Sequence, residues 1–427
     1  MVRSLYDHLK SVPDYRCSRR KPHELAAMLT CLVCGYVCGR TSVGRALNWC
    51  REHLDFLKNH MNLESGVPSE ATISRMLKGV DEEMLALTLA EWIAELLNEW
   101  GIHIIIDGKA LRGATEKVKG GVTPYILNAI DAATGLVLMQ LPVDTKTNEI
   151  TAIPRMLDVL NIKDNTFTID AIGTQQKIER LILDHGGHYV LQVKKNNLTL
   201  YREIISAFEF FEKELNENQN EIDKCSKSFQ QYLKKMDVHK TKEKNRGRIE
   251  HREMRTCTDP SFLNSVKENN VAEIQTVGYS LQIRIPIEKD AEGEDITVSC
   301  DEFIKKGSHR KPKAQCGDGL SDDIQIVGMI SDLQLTAKEM AQYKRRHWKI
   351  ENHLHHVLDD AFREDRSTAT VSRNNLSLIR KLAYNLLQLA VMLEQPEWGI
   401  QKMMDYYSDR PSEMLEKYVF NEIASLY

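Results

Sequence analysis

A chain of 427 residues is too long for one typical domain and implies two or three. Its 42% hydrophobic and 28% charged content is ordinary for a globular chain and excludes the low-complexity and fibrous classes. A net charge of −4 excludes a uniformly basic surface, although cations cluster at Lys240–Arg255, Lys305–Lys313 and Lys344–Lys349. No run of about 18 apolar residues is present, so no membrane span is expected. The opening MVRSLYDHLKSVPDYR lacks the apolar segment of a secretory signal, so a cytoplasmic location is expected.

In chain order, residues 1–20 read as a polar, basic arm with Arg16, Arg19 and Arg20. Pro22 opens a helix that runs to about Cys38, with Gly39 as its stop. Cys31, Cys34 and Cys38 recur on that helix without the fourth ligand of a zinc module, so they read as buried packing residues. Thr41 or Ser42 caps a second helix, to about Leu57. Ser69 caps a third that turns Ile73, Met76 and Leu77 inward, and Asp81 a fourth, to about Trp100. Thr72, Ser74, Arg75 and Lys78 would point outward from the third helix, the arrangement of a helix that reads DNA. A solvated polar face on a packing domain is the other reading.

From Gly101 the pattern changes. His103–Ile106 is a β-branched run ending on Asp107, read as a buried strand whose last residue starts an Asp-Gly turn. Two more strands, Val122–Ile130 and Gly135–Leu141, flank a hairpin-like turn. Thr147 or Asn148 caps a helix to about Leu160. Thr166–Ile169 is another strand ending on an acid, Asp170; a helix to Asp184 and a strand at Tyr189–Val193 follow.

Residues 201–245 are polar and charged. From Arg248 the alternation RIEHREMRT, with further short runs at Ile274–Val277, Tyr279–Ile285, Ile296–Ser299 and Asp322–Ser331, reads as a β-rich segment. Ala337 to about Ala361 reads as one helix bearing Glu351. A second, apolar helix spans Asn374 to about Met392, and nothing in residues 394–427 is assigned.

Two acids at strand ends and one on a helix suit a two-metal phosphoryl-transfer site, because hard cations about 4 Å apart take carboxylate oxygens. Helical spacing puts Trp348, Glu351, Leu354, His355 and Leu358 on one face. Glu351 is therefore expected to look toward the core, in preference to Asp359, Asp360, Glu364 and Asp365. His347, His353, His355 and His356 spread round the helix and do not read as a zinc site.

IIIDGKALRG (104–113), KTNEITAIPRMLDVL (146–160), TIDAIGTQQKI (168–178), GGHYVLQVKKNN (186–197), GRIEHREMR (247–255) and HWKIENHLHHVLDDAFRED (347–365) together resemble the DDE transposases of bacterial insertion sequences, in the branch of the H-repeat-associated proteins. The resemblance implies an α+β or α/β chain. An RNase H-like catalytic core, with a mixed five-stranded sheet and helices, is interrupted by a β-rich insertion and preceded by an all-helical N-terminal domain. The corresponding division is 1–100 helical, 101–200 first part of the core, 201–332 insertion, 333–395 second part of the core and 396–427 tail.

It implies metal-dependent cleavage of element ends and their joining to target DNA, with Asp107, Asp170 and Glu351 as catalytic residues and ligands of Mg2+, for which Mn2+ would substitute. Partners would be double-stranded DNA, at terminal inverted repeats and target, bound by a homodimer on the nucleoid, with no membrane partner. Lys109, Arg112, Lys195, Arg246, Arg248, Arg252, Arg75 and Lys78 are the candidate DNA contacts. Related enzymes often carry a Tyr-Arg-Glu-Lys pattern. Tyr343, Arg345 or Arg346, and Glu351 match it, but no Lys or Arg lies within six positions after Glu351. A non-catalytic DNA-binding remnant and an RNase H-like nuclease with a host role are the alternatives.

Overall fold

The computed structural model describes residues 1–17, 21–97, 103–111, 123–143, 149–245, 247–268, 273–289, 295–296, 323–367 and 372–426. Arg112, Arg246 and the Lys305–Lys313 run lie outside them. The chain is a mixed α+β protein that divides into two compact units. One joins Met1–Asn165 to His347–Tyr427, and the other is Thr166–Arg346.

The first unit begins with six helices: α1 (Leu5–Leu9), α2 (Leu25–Val37), α3 (Val43–Glu52), α4 (Leu54–Lys58), α5 (Glu70–Gly79) and α6 (Glu82–Leu97). Their starts follow local capping chemistry. Ser42 accepts from the Arg45 amide, Ser69 from the Thr72 amide, and Asp81 from the amides of Glu83 and Met84. Every residue of α2 is buried, Cys31 and Cys34 among them, and so is Cys38 just after its end. An antiparallel sheet follows, in the order β3 (Val137–Val143), β2 (Tyr125–Asp131), β1 (His103–Ala110). Between β2 and β3 the Asp131 carboxylate accepts from the Thr134 amide and hydroxyl, and Gly135, at φ +74°, supplies the left-handed position that closes the hairpin. Helix α7 (Glu149–Leu157) completes this stretch.

The second unit carries a six-stranded mixed sheet. Its order is β4 (Thr166–Ile169), β5 (His188–Val193), β11 (Ile324–Ser331), β8 (Thr276–Pro286), β7 (Arg248–Cys257), β6 (Met236–Asn245). Only the β4–β5 pair is parallel. A two-residue pair, β9 (Glu288–Lys289) with β10 (Asp295–Ile296), stands apart from that sheet. Helices α8 (Gln176–Asp184), α9 (Leu198–Glu217), α10 (Lys227–Leu233), α11 (Asn264–Lys267) and α12 (Ala337–His347) complete the elements. Ala337 and Met340 of α12 are buried on Val190, Met254, Val327 and Met329 of the sheet. The two runs expected at 274–277 and 279–285 are one strand, β8. Gly278 does not break it; it lets α12 approach, since a Cβ there would meet the Met340 sulfur at 2.3 Å.

The helix expected from Ala337 to Ala361 is not continuous. After α12 the chain widens into a π-helical stretch, Ile350–His355, before α13 (His356–Asp360). Helix α14 (Arg373–Glu394) is the core helix of the first unit. It is long and apolar enough to cross a membrane by composition, yet 83% of that window is buried inside the protein. Asn385 bonds both the amide and the carbonyl of Val137 on β3, and Asn375 donates to the carbonyls of Leu77 and Val80 at the end of α5. The tail left unassigned by sequence forms α15 (Ile400–Ser408), α16 (Pro411–Leu415) and a π turn, Glu416–Phe420. It returns to the N-terminus through paired backbone bonds between Val2 and Ile423.

Candidate active site

Asp107 lies within β1, not at its end. The strand continues through Gly108 to Ala110, and Asp107 stands across from Asn128 of β2. The Asp-Gly pair reads as a turn in isolation, but β2 offers pairing partners for three more residues, and ladder bonds override the local preference. The Asp107 side chain is 18% exposed, with its Oδ2 3.8 Å from Nδ1 of His355. The other ring nitrogen, Nε2, is 3.3 Å from the Asn128 amide nitrogen. Burial, reinforced by the cations Lys109 and Lys381, pushes the His355 imidazole down to about 3. The ring is therefore neutral. Its Nδ1 is the nitrogen that faces Asp107, and its Nε2 the one that meets the Asn128 amide.

Lys109 shares the strand face of Asp107, two residues on. Its expected role as a DNA contact is corrected by its surroundings. It is 5% exposed, and Nζ lies 2.7 Å from both Asp359 and Glu364. A phosphate outside would have to compete with two carboxylates already in place. Glu364 extends this network. It is 3% exposed and accepts from the Ser377 hydroxyl at 2.7 Å; Lys381 in turn donates to Ser377 at 2.7 Å and to Gln140 at 2.5 Å. Burial works to raise Glu364, but Lys109, Lys381 and Arg380 outweigh it and hold the carboxyl at about 2. Burial dominates at Lys381 and brings its ammonium down to about 7, against the pull of Glu364. Arg363, at φ 52°, makes the left-handed turn that delivers Glu364 inward.

Glu351 sits in the π-helical stretch and is exposed, which corrects the expectation that it faces the core. The inward residues are His347, Ile350, Leu354 and Leu358. A π turn bonds i to i+5 and shifts the angular phase of the helix. Across it apolar Ile350 stays inside, and the carboxylate, whose burial would be costly, lies outside.

Asp170 belongs to the second unit and does end its strand, as expected. It caps the 3-10 turn Ala171–Gly173 by accepting from the Ala171 amide at 2.7 Å. Lys194, at the end of β5, donates to it at 3.0 Å, and Asn196 donates to the Ala171 carbonyl. Lys195, the expected DNA contact of the Lys194-Lys195 pair, is exposed on the next turn. Strand alternation through β5 was the available signal for Lys194.

Arg75 and Lys78 are exposed on α5. Arg248, Glu250 and Arg252 share one face of β7, as the alternation implied. Both arginines bond Glu250, and Arg252 also bonds Glu243. Among the described residues no group of three or more His, Cys, Asp or Glu stands at metal-binding spacing. The donor chemistry of Asp107 and Glu351 nevertheless suits a hard cation. Both are carboxylates with solvent access, and the ring beside Asp107 carries no competing charge.

Residues 101–386 match the transposase DDE domain, and residues 6–93 match the DDE_Tnp_1-associated domain. The chain belongs to the DDE-domain transposase family, whose members use divalent metal ions. It is 30% identical over 393 residues to the "Putative transposase YncI" of Escherichia coli O157:H7, covering 91% of this chain and 88% of that protein. It is 27% identical over 391 residues to the "H repeat-associated putative transposase YhhI" of Escherichia coli K12, covering 90% of each. A shorter match, 30% over 76 residues, is to the "Inactive transposase YbfQ" of the same strain.

Proposed function

We propose that this chain is an active DNA transposase that cuts the ends of an insertion sequence and joins them to target DNA, with Asp107, Asp170 and Glu351 as its catalytic carboxylates. The observation that carries the reading is the setting of Asp107. It is a partly exposed carboxylate held on strand β1, 3.8 Å from the ring of His355, whose burial favours its neutral form. Both steps are in-line displacements at phosphorus, first by water and then by the freed 3′-hydroxyl, so no covalent protein–DNA intermediate is required. Mg2+, when bound by these carboxylates, would supply Lewis-acid stabilisation of charge on the phosphoryl oxygens. The chain's own part is to hold Asp107 through β1 and Glu351 through the π turn, while Lys194 orients Asp170. The DNA partners are the element's terminal inverted repeats and the target, bound by a homodimer.

The test is cleavage of the native element ends in Mg2+, with and without chelator. Asp107→Asn and Glu351→Gln should each lower the rate more than about 100-fold, beyond the 10–100-fold typical of an outer-shell loss, while the protein stays folded and still binds the ends. Asp359→Asn and Asp365→Asn should be milder. Normal cleavage by Glu351→Gln, or undiminished cleavage in chelator, would overturn the assignment. Binding without any cleavage by the wild type would instead define a DNA-binding remnant.

A further inference from the structure

Lys344 is a buried ammonium with no carboxylate to answer it. It lies on α12, is 9% exposed, and its Nζ donates to the Ser280 hydroxyl of β8 at 2.7 Å. Among the described residues it forms no ion pair. Its charged neighbours are Lys194, Arg252 and Arg284, all cations, which add to the effect of burial in lowering its affinity for a proton to about 7. Arg284 stands four residues beyond Ser280 on the same face of β8, and its Nε is buried without a hydrogen-bond partner. Arg252 faces Gln282, the residue between them, from the neighbouring strand. Glu250 and Glu243 are the nearby acids of this face. Glu250 stands directly across from Arg284, but its bonds go to Arg248 and Arg252, and those of Glu243 to Arg252 and Arg345; neither acid bonds Lys344 or Arg284.

A buried, unanswered charge is costly, and a fold keeps one most readily where a ligand supplies the opposite charge. We propose that Lys344, Arg284 and the Ser280 hydroxyl form a phosphate-binding pocket on the second unit, and that its occupant is a backbone phosphate of bound DNA. Lys344 contributes a point charge, Arg284 a fork of N–H donors, and Ser280 a hydroxyl that can turn to donate. The location suits the reaction: Lys194, a neighbour of Lys344, pairs with Asp170 at 3.0 Å. The pocket therefore belongs to the same unit as Asp170. This deepens the transposase reading and rests on it for the identity of the occupant.

Lys344→Met keeps the side-chain length and removes the charge, so its effects on folding and on binding should have opposite signs. Without a ligand, in chloride, the variant should melt higher than the wild type. Its affinity for a short DNA duplex should fall about 10-fold or more, and the slope of log K against log salt should flatten by about 0.9, one phosphate contact. Inorganic phosphate at matched ionic strength should raise the wild-type melting temperature and leave that of Lys344→Met unmoved. Lys213→Gln, which removes an exposed cation from α9, controls for charge alone. If Lys344→Met does not fold, Arg284→Gln takes its place in both assays. An unchanged salt slope together with retained phosphate stabilisation would overturn the pocket. Phosphate stabilisation lost in the variant with DNA binding intact would overturn the DNA occupant. If the wild type binds no duplex, the transposase reading fails, while the phosphate arm still decides the pocket.

Discussion

Lys109 shows how far one residue's meaning depends on partners the sequence cannot reveal. In sequence it is a lysine two positions from an acid, which invites a phosphate contact. In the fold it is the counter-ion of Glu364 and Asp359, some 250 positions away. Breaking this buried pair from one side leaves an uncompensated charge, so Lys109→Met should cost about 3–5 kcal/mol in urea unfolding. Glu364 adds a pH dependence. Its folded value is about 2 against about 4.3 in an unfolded chain, a depressed acid, so its contribution is complete above about pH 4.3 and lost as the pH falls toward 2. The amount is of order 3 kcal/mol for a group this buried. Urea unfolding between pH 6 and 3 should therefore show a steeper loss for the wild type than for Glu364→Gln. Equal slopes would mean that folding leaves the proton affinity of Glu364 unchanged, and that its ion pair with Lys109 adds no pH-dependent stability.

At the scale of elements, the legible features were those with local causes. The caps at Ser42, Ser69 and Asp81, the Asp131–Gly135 hairpin and the Asp170 strand end all follow from side chains within a few residues. Illegible features were set by a distant partner or a change of helical phase. The end of β1 is decided by β2, and the π turn at Ile350–His355 preserves an apolar pattern that an α-helix would also satisfy. Gly278 combines both lessons. It looks like a break between two strands, and it is the point where α12 rests on β8. Gly278→Ala should destabilise the fold by about 1–3 kcal/mol through overpacking. Met340 is flexible, so Met340→Ala should relieve much of that cost, and the double variant should be less destabilised than the sum of the singles. Simple additivity in a denaturant-unfolding cycle would show that the two positions do not meet.

Across the whole chain, a net charge of −4 says little about nucleic-acid affinity, because cations and acids are distributed unevenly: among the described residues Lys344 and Arg284 form no ion pair. Connectivity says more. The first unit is built from both ends of the chain, with the second unit's sequence lying between them. Its core helix α14 comes after residue 370, yet it buries α2 and satisfies the edge of β3 through Asn385. The tail then adds Tyr407, Lys417 and Tyr418, which donate to Glu394 at the end of α14, and the Val2–Ile423 bridge. Contacts this distant in sequence form late, after a large loop-closure cost has been met. The N-terminal helices and β1–β3 should therefore remain unprotected until residues 347–427 are present. A chain ending at Arg346 should show amide hydrogen exchange in α2 and β3 close to that of unfolded peptide, while β5, β7, β8 and β11, whose partners are all retained, keep their protection. Adding back residues 347–427 as a separate chain should restore protection in α2 if packing alone is missing. Native-like protection of α2 and β3 in the truncated chain would show that the N-terminal segment folds without α14.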